Sequence, residues 1–560
     1  MSAHRASIAL FLICAACGND SPSSDTSGSS DSSDTSDSSD SSDSSDTSDS
    51  ADSADSTDSS DDRPIDEPDC AAVSDARCFY VAVDGNDSGS GDIDAPFKTF
   101  HAALVQAGPG DFIYARGGTY GLDNSVVAST TRLPQDSFPP PCEDGLVEAD
   151  GFCQVGRHSF ASVGDWDGYP MPNQSDFSYA VADGEPDRPI TLRNFPGELP
   201  ILDTNTLYDR GQEIEDAVTS TQSQRSAVSF RRSHWVLQGF EIIGGSVTAG
   251  GNIEDLTIEG CDIHDLTIHG GDNPGLIRLN RGPEDVHIVD NTLHDLYDLD
   301  KPGDWESVPD AQHFGAVTTL SGETYGGNDD TGSIEIRGNT IYHVPQSFFF
   351  KNAAAGPILI EDNHIYDSGR IASNVTANVS FVRNLVHNVR DGFWRQGQGF
   401  PETTLPPDEL KLVLGRDGHN LRVEYNTIVG LEGTLMGLAH GVGHVFGNNV
   451  IMGLTGTAAS SGYDDPSFIK VGDDVDIEAT ITSDNNCFVV SDAGFQMVAV
   501  YPDNDPLEHY DLSQVQAMFN MDGSSTTIVS TDATQVFVDP ENGDYALSGT
   551  DCQNAGHLAP

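Results

Sequence analysis

The chain has 560 residues, with 26 Lys and Arg against 89 Asp and Glu, and a net charge of −63 at neutral pH. So acidic a surface excludes nucleic acid as a partner and excludes plain adhesion to anionic lipid, and a polyanionic ligand would need a local basic group or a bound cation. Lysine is scarce, at Lys98, Lys301, Lys351, Lys411 and Lys470, so the position of each carries information.

At the N-terminus Arg5 precedes the apolar run from Ile8 to Ile13, and the small residues Ala15 and Ala16 stand directly before Cys17. Charge, apolar core and cleavage site follow in the order of an export signal, and the run is too short for a permanent membrane span. A cysteine after two small residues is similar to the bacterial lipobox, which implies lipidation of Cys17 and a membrane anchor made of acyl chains. Cys14 stands where that pattern usually has leucine, so plain secretion is the alternative. Either route takes the protein out of the cytoplasm, to the cell envelope or beyond. No later segment reads as a membrane span.

Residues 18–69 are dominated by Ser, Asp and Thr, with an aspartate at every third position from Asp31 to Asp61. No apolar face can be built from this composition, so a solvated, self-repelling tether is expected. A calcium-binding repeat would need glycine and an apolar residue at fixed places, and the tract lacks both.

The nine cysteines of an exported chain point to disulfides. Cys70 with Cys78 and Cys142 with Cys153 are the expected local bridges, and Cys487 with Cys552 is the expected long one; none has the spacing of a zinc or redox motif. In PFKTFHAALVQAGPGD, Phe100, Ala103, Leu104 and Ala107 follow helical spacing, and Gly108 and Pro109 stop the helix. Such a helix would cover the exposed strand edges of a first coil.

The body from residue 70 to 560 then shows a repeat: an apolar strand, an asparagine, another apolar strand, as in IEIRGNTIY, ILIEDNHIY, VSFVRNLVH and LRVEYNTIV. The asparagines are Asn291, Asn339, Asn363, Asn384, Asn426 and Asn448, with Cys261 in the equivalent place upstream. Their separations are multiples of 21 to 24 residues. That period suits a wide parallel β-helix, in which each coil adds about 4.8 Å and pairs with the coil below. Asparagine suits a left-handed turn, and stacked amides can bond along the axis.

The stretch YVAVDGNDSGSGDIDAPFKTFHAALVQAGPGDFIYARGGTYG resembles the opening of right-handed β-helix proteins of the pectate-lyase-like superfamily, notably polysaccharide lyase family nine and the alginate and dermatan lyases. RPITLRNFPGELPILD resembles the following coil, and VFVDPENGDYALSGTDCQNAG the end segment, with a loop-rich insertion between Leu122 and Asp187. The resemblance implies an all-β right-handed parallel β-helix with an N-terminal capping helix. It also implies that the first strands of successive coils floor a substrate groove. LIRLN, FGAVTTL, SFFFKN, IASNV and DGFWRQ would be such strands.

In the resembled lyases a groove lysine removes the proton alpha to a uronate carboxylate. With Phe348 and Phe350 inward, alternation turns Lys351 outward, which makes it the candidate base. Arg278, Arg370 and Arg395 are candidates for binding carboxylates, and Trp394 for stacking on a sugar or for packing in the coil. Calcium would aid the same reaction, but the family's aspartate cluster has no match, and Asp329 and Asp330 read as loop residues. His264, His269, His440 and His444 read as surface histidines at coil turns. The ordered acid motifs of β-helix hydrolases are missing. The reading is a carbohydrate-active envelope protein, as a uronate polysaccharide lyase in its sharpest form. The alternative is a non-catalytic surface protein that binds glycans or mediates adhesion.

Overall fold

The computed structural model describes residues 69–134, 152–164, 181–207, 226–251, 253–268, 275–280, 283–298, 303–305, 315–320, 332–351, 357–374, 378–390, 394–396, 420–431, 435–438, 442–453, 469–472, 480–491, 496–501, 508–549, 552 and 554–558. The chain divides at Arg63 and Pro64. Cys17, the residues of the tether up to 68, Asp329 and Asp330, and the Cys142–Cys153 pair lie outside the described residues and side chains.

Each coil runs through three faces. On face A, Trp235–Gln238, Glu254–Glu259, Glu284–Val289, Ile334–Arg337, Ile358–Glu361 and their neighbours form a 12-stranded parallel sheet. The chain then turns into face B, where Glu241–Ile243, Asp262–His264 and Thr292–His294 stack in register. After a second corner it forms face C, with Ser246–Gly250, Gly275–Asn280 and Gly315–Leu320. Thr340–Lys351 and His364–Asn374 run through that second corner without a break, which joins faces B and C in one 22-stranded sheet. The right-handed parallel β-helix expected from the sequence is thus present.

Inward positions alternate with outward ones along every strand. Ile258, Ile288, Ile336, Ile360 and Phe381 stack on face A, Ile263, Leu293, Ile341 and Ile365 on face B, and Ile277, Val317, Phe348 and Ala372 on face C, all fully buried. Burying such a side chain contributes roughly 2 kcal/mol, and each is repeated coil after coil. A single core therefore extends from Phe79 to Met521.

The corner between faces A and B explains the asparagine repeat. Gly338, Asp362, Arg383, Tyr425 and Asn448 have positive φ, and the residue after each is a buried asparagine. Each of those amides donates through Nδ2 to the Oδ1 of the next coil, from Asn291 through Asn339, Asn363, Asn384 and Asn426 to Asn449 and Asn486. Cys261 fills the rung before Asn291, donating its backbone N–H to Asn291 Oδ1 at 2.9 Å. Two corrections to the sequence reading follow. The rung is Asn449 and not Asn448, which supplies the left-handed turn at φ 57, and the ladder continues to Asn486.

At the N-terminal end a short helix, α1 (Phe100–Leu104), starts at Thr99, whose hydroxyl accepts from Ala102 N, and buries Phe100, Ala103 and Leu104. It ends at Val105, before the Gly108–Pro109 stop. The stretch expected to be loop-rich contains an antiparallel pair, Val126–Pro134 with Phe152–Ser159. A second helix, α2 (Leu512–Phe519), was not expected; Asp511 and Gln514 form a reciprocal capping box at its start. Beyond Thr526–Val529 the chain turns back along the outside of face B. There Val536 and Phe537 pack on Val450, Met452 and Val489, and Gly556 N donates to Asn448 O at 2.8 Å. Cys487–Cys552 fastens this segment and Cys70–Cys78 the first coil. Cys261 is free and buried, and burial pushes its thiol up to about 12.

Candidate functional site

Strand register fixes the layout of face C. Arg278 pairs with Thr318, Thr318 with Phe349, Phe349 with Ser373, and Ser373 with Arg395, which makes one column across five coils. At about 4.8 Å per coil, Arg278 and Arg395 are roughly 19 Å apart along the axis. Lys351 ends its strand paired with Leu320, two residues beyond Phe349, and so belongs by alternation to the same set as Arg278 and Arg395. Phe348 and Phe350 are fully buried, as the alternation requires. The side chains of Lys351, Trp394 and Arg395 lie outside the described residues.

Arg370 stands at the corner leading into face C, in register with Gln346. Its Nη1 donates to Ser373 Oγ at 3.4 Å, and that hydroxyl donates to Gln346 Oε1 at 3.1 Å. Lys351 and Arg395 thus belong to face C two coils apart, and Arg370 stands at the corner of the coil between them. Trp394 pairs with Ala372 and Met436, both buried, and shares the column of Ile277, Val317 and Phe348. Arg278 donates from Nε to Asn280 Oδ1 at 2.9 Å. The outward column itself is closed to solvent at Thr318 and Phe349, which are 0% and 6% exposed. Among the described residues, face C carries no group of three or more His, Cys, Asp and Glu side chains placed to share an ion.

Face B carries a feature that the sequence reading missed. His264, His294, Tyr342, Tyr366 and His387 stack ring on ring along the axis, with centroids 4.7, 4.6, 5.0 and 5.1 Å apart and planes within 8° of parallel. Tyr545, from the returning C-terminal segment, continues the stack on His387 at 5.3 Å. Each coil ring follows its ladder residue by three positions, a spacing visible in the sequence as CDIH, NTLH, NTIY, NHIY and NLVH. His264 is therefore no scattered surface residue, because only 13% of its side chain is exposed. His444 is also corrected: it is buried on face A, its Nδ1 accepting from Leu421 N at 3.3 Å. His269 and His440 lie outside the described residues.

Charge gathers on one end of this stack. Asp295 accepts from His294 Nδ1 at 2.7 Å and from His343 Nδ1 at 3.1 Å. Burial disfavours the charged form of His294, but Asp262 and Asp295 outweigh it and raise its pKa. Burial likewise opposes ionisation of Asp295, yet hydrogen bonds from Tyr297, His294 and His343 lower its pKa. Trp305 stacks on His343 at 5.8 Å, and the Arg390 guanidinium lies over the Trp305 ring at 4.6 Å.

A right-handed parallel β-helix is the class that this fold defines. Residues 79–332 match the family described as Pel9A-like, right handed beta helix region. A stretch of 51 residues, 9% of this chain, is 51% identical to the pectate lyase PEL9 of Emericella nidulans and takes up 12% of that protein's length. Among solved structures, a rhamnogalacturonan lyase aligns over 73% of this chain and 87% of its own, at 17% identity and a TM-score of 0.43. The pectate lyase Pel9A aligns over 70% and 82%, at 14% identity and a TM-score of 0.38.

Proposed function

We propose that the protein is a polysaccharide lyase that cleaves a uronic-acid polymer by β-elimination on face C. Lys351 Nζ, as the neutral amine, takes the proton alpha to the uronate carboxylate. The freed electron pair forms the carbon–carbon double bond of the product, the C–O bond on the β carbon breaks, and the departing oxygen takes a proton from solvent water. Arg278, Arg370 and Arg395 bind carboxylates of the polymer, which disperses the charge that builds up as the proton leaves. Cationic neighbours also hold a lysine amine closer to neutrality, which a general base requires.

The observation that carries the reading is the register, in which Lys351 and Arg395 fall on face C two coils apart and Arg370 at the corner of the coil between them. The family match over residues 79–332 supports it too, as does the 51-residue likeness to a pectate lyase. The N-terminal signal pattern extends the proposal to a lipid anchor on Cys17, which would hold the enzyme in the cell envelope.

The test is to incubate the purified protein with polygalacturonate, alginate and glycosaminoglycans and to follow the ultraviolet absorbance of unsaturated uronate. A rise with one polymer supports the proposal. New reducing ends without unsaturation would indicate a hydrolase, and binding without cleavage would indicate a glycan-binding surface protein.

A further inference from the structure

On the outer wall of face B, away from face C, the rings of His264 and His294 lie parallel with centroids 4.7 Å apart. Both nitrogens of each ring face a carboxylate. His294 Nδ1 meets Asp295 Oδ2 at 2.7 Å, and its Nε2 meets Asp262 Oδ1 at 3.1 Å. His264 Nδ1 meets Asp265 Oδ2 at 2.9 Å, and its Nε2 meets Glu241 Oε1 at 3.5 Å. A neutral imidazole has one N–H and one lone pair. With each proton given to the Nδ1 partner, both Nε2 lone pairs face carboxylate oxygens, acceptor against acceptor. Charging His294 alone would mend its own contacts but leave the His264 Nε2 lone pair against Glu241 Oε1 at 3.5 Å, and charging both rings would set two cations face to face at 4.7 Å.

One divalent ion resolves the conflict, because it accepts both lone pairs and both carboxylates while the rings stay neutral. We propose that Asp262, His264 and His294, with Glu241 in reach as a fourth ligand, bind a single transition-metal ion of the zinc class. Ligand atoms of the first three already lie within 4.8 Å of one another. A tetrahedral zinc with bonds of about 2.0–2.1 Å sets its ligands roughly 3.4 Å apart, so the side chains close by about an ångström on binding. The donor set selects the ion: imidazole nitrogen suits zinc and its neighbours, whereas calcium and magnesium take oxygen. The orienting shell is in place, since Asp265 and Asp295 hold the Nδ1 side of each ring as the second shell of metal-bound histidines commonly does. The ligands come from three adjacent coils, so the ion is a cross-brace along the wall.

The experiment is calorimetric titration of the full, untagged and chelator-stripped chain with Zn2+ in excess Mg2+, which occupies the aspartate-rich tract. One Zn2+ per chain is expected, bound at least tenfold more weakly by His264→Gln and by His294→Gln. His287→Gln should leave it unchanged, because His287 pairs with Glu335 on face A, apart from the cluster. Co2+ in place of Zn2+ should give visible absorption bands that the two cluster variants lose. If either variant melts earlier than the parent without metal, Asp262→Asn carries the comparison, since 47% of that side chain is exposed. The absence of stoichiometric uptake, or uptake indifferent to His264, His294 and Asp262, would overturn the proposal.

Discussion

Asn426 gives both its backbone N–H and its side-chain Nδ2 to one atom, Asn449 Oδ1, at 2.9 and 3.0 Å. Asn449 in turn donates to Val423 O at 2.8 Å and to Asn486 Oδ1 at 3.1 Å. Replacing Asn449 by Ala takes the acceptor from the buried Asn426 N–H and removes the Nδ2 bonds to Val423 O and Asn486 Oδ1. At about 1–3 kcal/mol for the orphaned group and about 1 kcal/mol for a lost bond, a loss of about 2–4 kcal/mol is expected. Asn448→Gly should cost less than about 1 kcal/mol, because glycine accepts the left-handed backbone there and only an exposed bond to Asn485 is lost. Native-state hydrogen exchange of the coil around Thr427–Leu431 is the suitable measurement, since long repeat arrays need not unfold in one step. Equal effects at the two positions would contradict the assigned rung.

Lys351→Ala should lower turnover on the cleaved uronan by at least about a hundredfold and leave KM largely unchanged, the signature of a group that acts in the transition state. Lys351→Arg should not restore turnover, because a guanidinium stays protonated and cannot accept the proton. Near-normal kcat in the Ala variant would move the base elsewhere on face C.

The C-terminal segment should loosen in acid. His387 is held at a pKa of about 4 by burial, with the neighbouring His364 adding to the effect and Asp367 opposing it. His557 is likewise at about 4 by burial and His364, with Asp362 and Asp544 opposing. Tyr366 and Tyr545 sandwich the His387 ring, His364 Nε2 lies 2.9 Å from its Nε2, and His557 Nδ1 meets Thr427 Oγ1 at 2.8 Å. A free histidine titrates near 6.5, so between about 6.5 and 4 the undocked segment binds more protons than the docked one. Docking is therefore strongest above pH 6.5 and weakens as pH falls toward 4. Hydrogen exchange across Phe537–Leu547 at pH 7.5, 5.5 and 4.5 should report this; in His387→Phe, which keeps the ring, the pH dependence should shrink.

Cys17→Ser should release the protein from the membrane fraction of the expressing bacterium, because the proposed anchor is acylation and not a hydrophobic span. Unchanged retention would count against lipidation.

The fold was legible because its coil period is written in asparagine: a buried amide that bonds to its own kind is hard to replace, so the spacing survives large insertions between coils. The single-residue slip at Asn448 arose because both residues of that corner are asparagines. The order seen at Gly338–Asn339 and Asp362–Asn363, left-handed residue first and rung second, identifies Asn449. The ring stack was equally regular but escaped notice, since its positions mix His with Tyr and neither type alone shows the period. Helix α2 was missed for a related reason: eight residues give little periodicity, and its signal is the Asp511–Gln514 box. Face C was least legible because its outward column, from Arg278 through Thr318, Phe349 and Ser373 to Arg395, changes residue type at every coil. Register alone brings those residues together.

The asparagine ladder also has an electrical sense. From Asn291 to Asn486 every side-chain amide points its N–H end toward the next coil and its oxygen toward the previous one. Their dipoles therefore add head to tail, as peptide dipoles do in an α-helix, with the positive pole at the C-terminal end. There Asn486 Nδ2 donates to Asp522 Oδ1 at 3.0 Å, so the row ends on a carboxylate as a helix N-terminus ends on an acidic cap. Burial raises the pKa of Asp522, while hydrogen bonds from Ser525, Asn486 and Ser483 favour its charged form. At the other pole no side-chain amide is needed: Cys261 offers its backbone N–H to Asn291 Oδ1, and its thiol turns to Glu259 O at 3.4 Å. The β-helix thus has a polarised spine with a terminator at each end, and a coil inserted with its amide reversed would break the field as well as the hydrogen bonds.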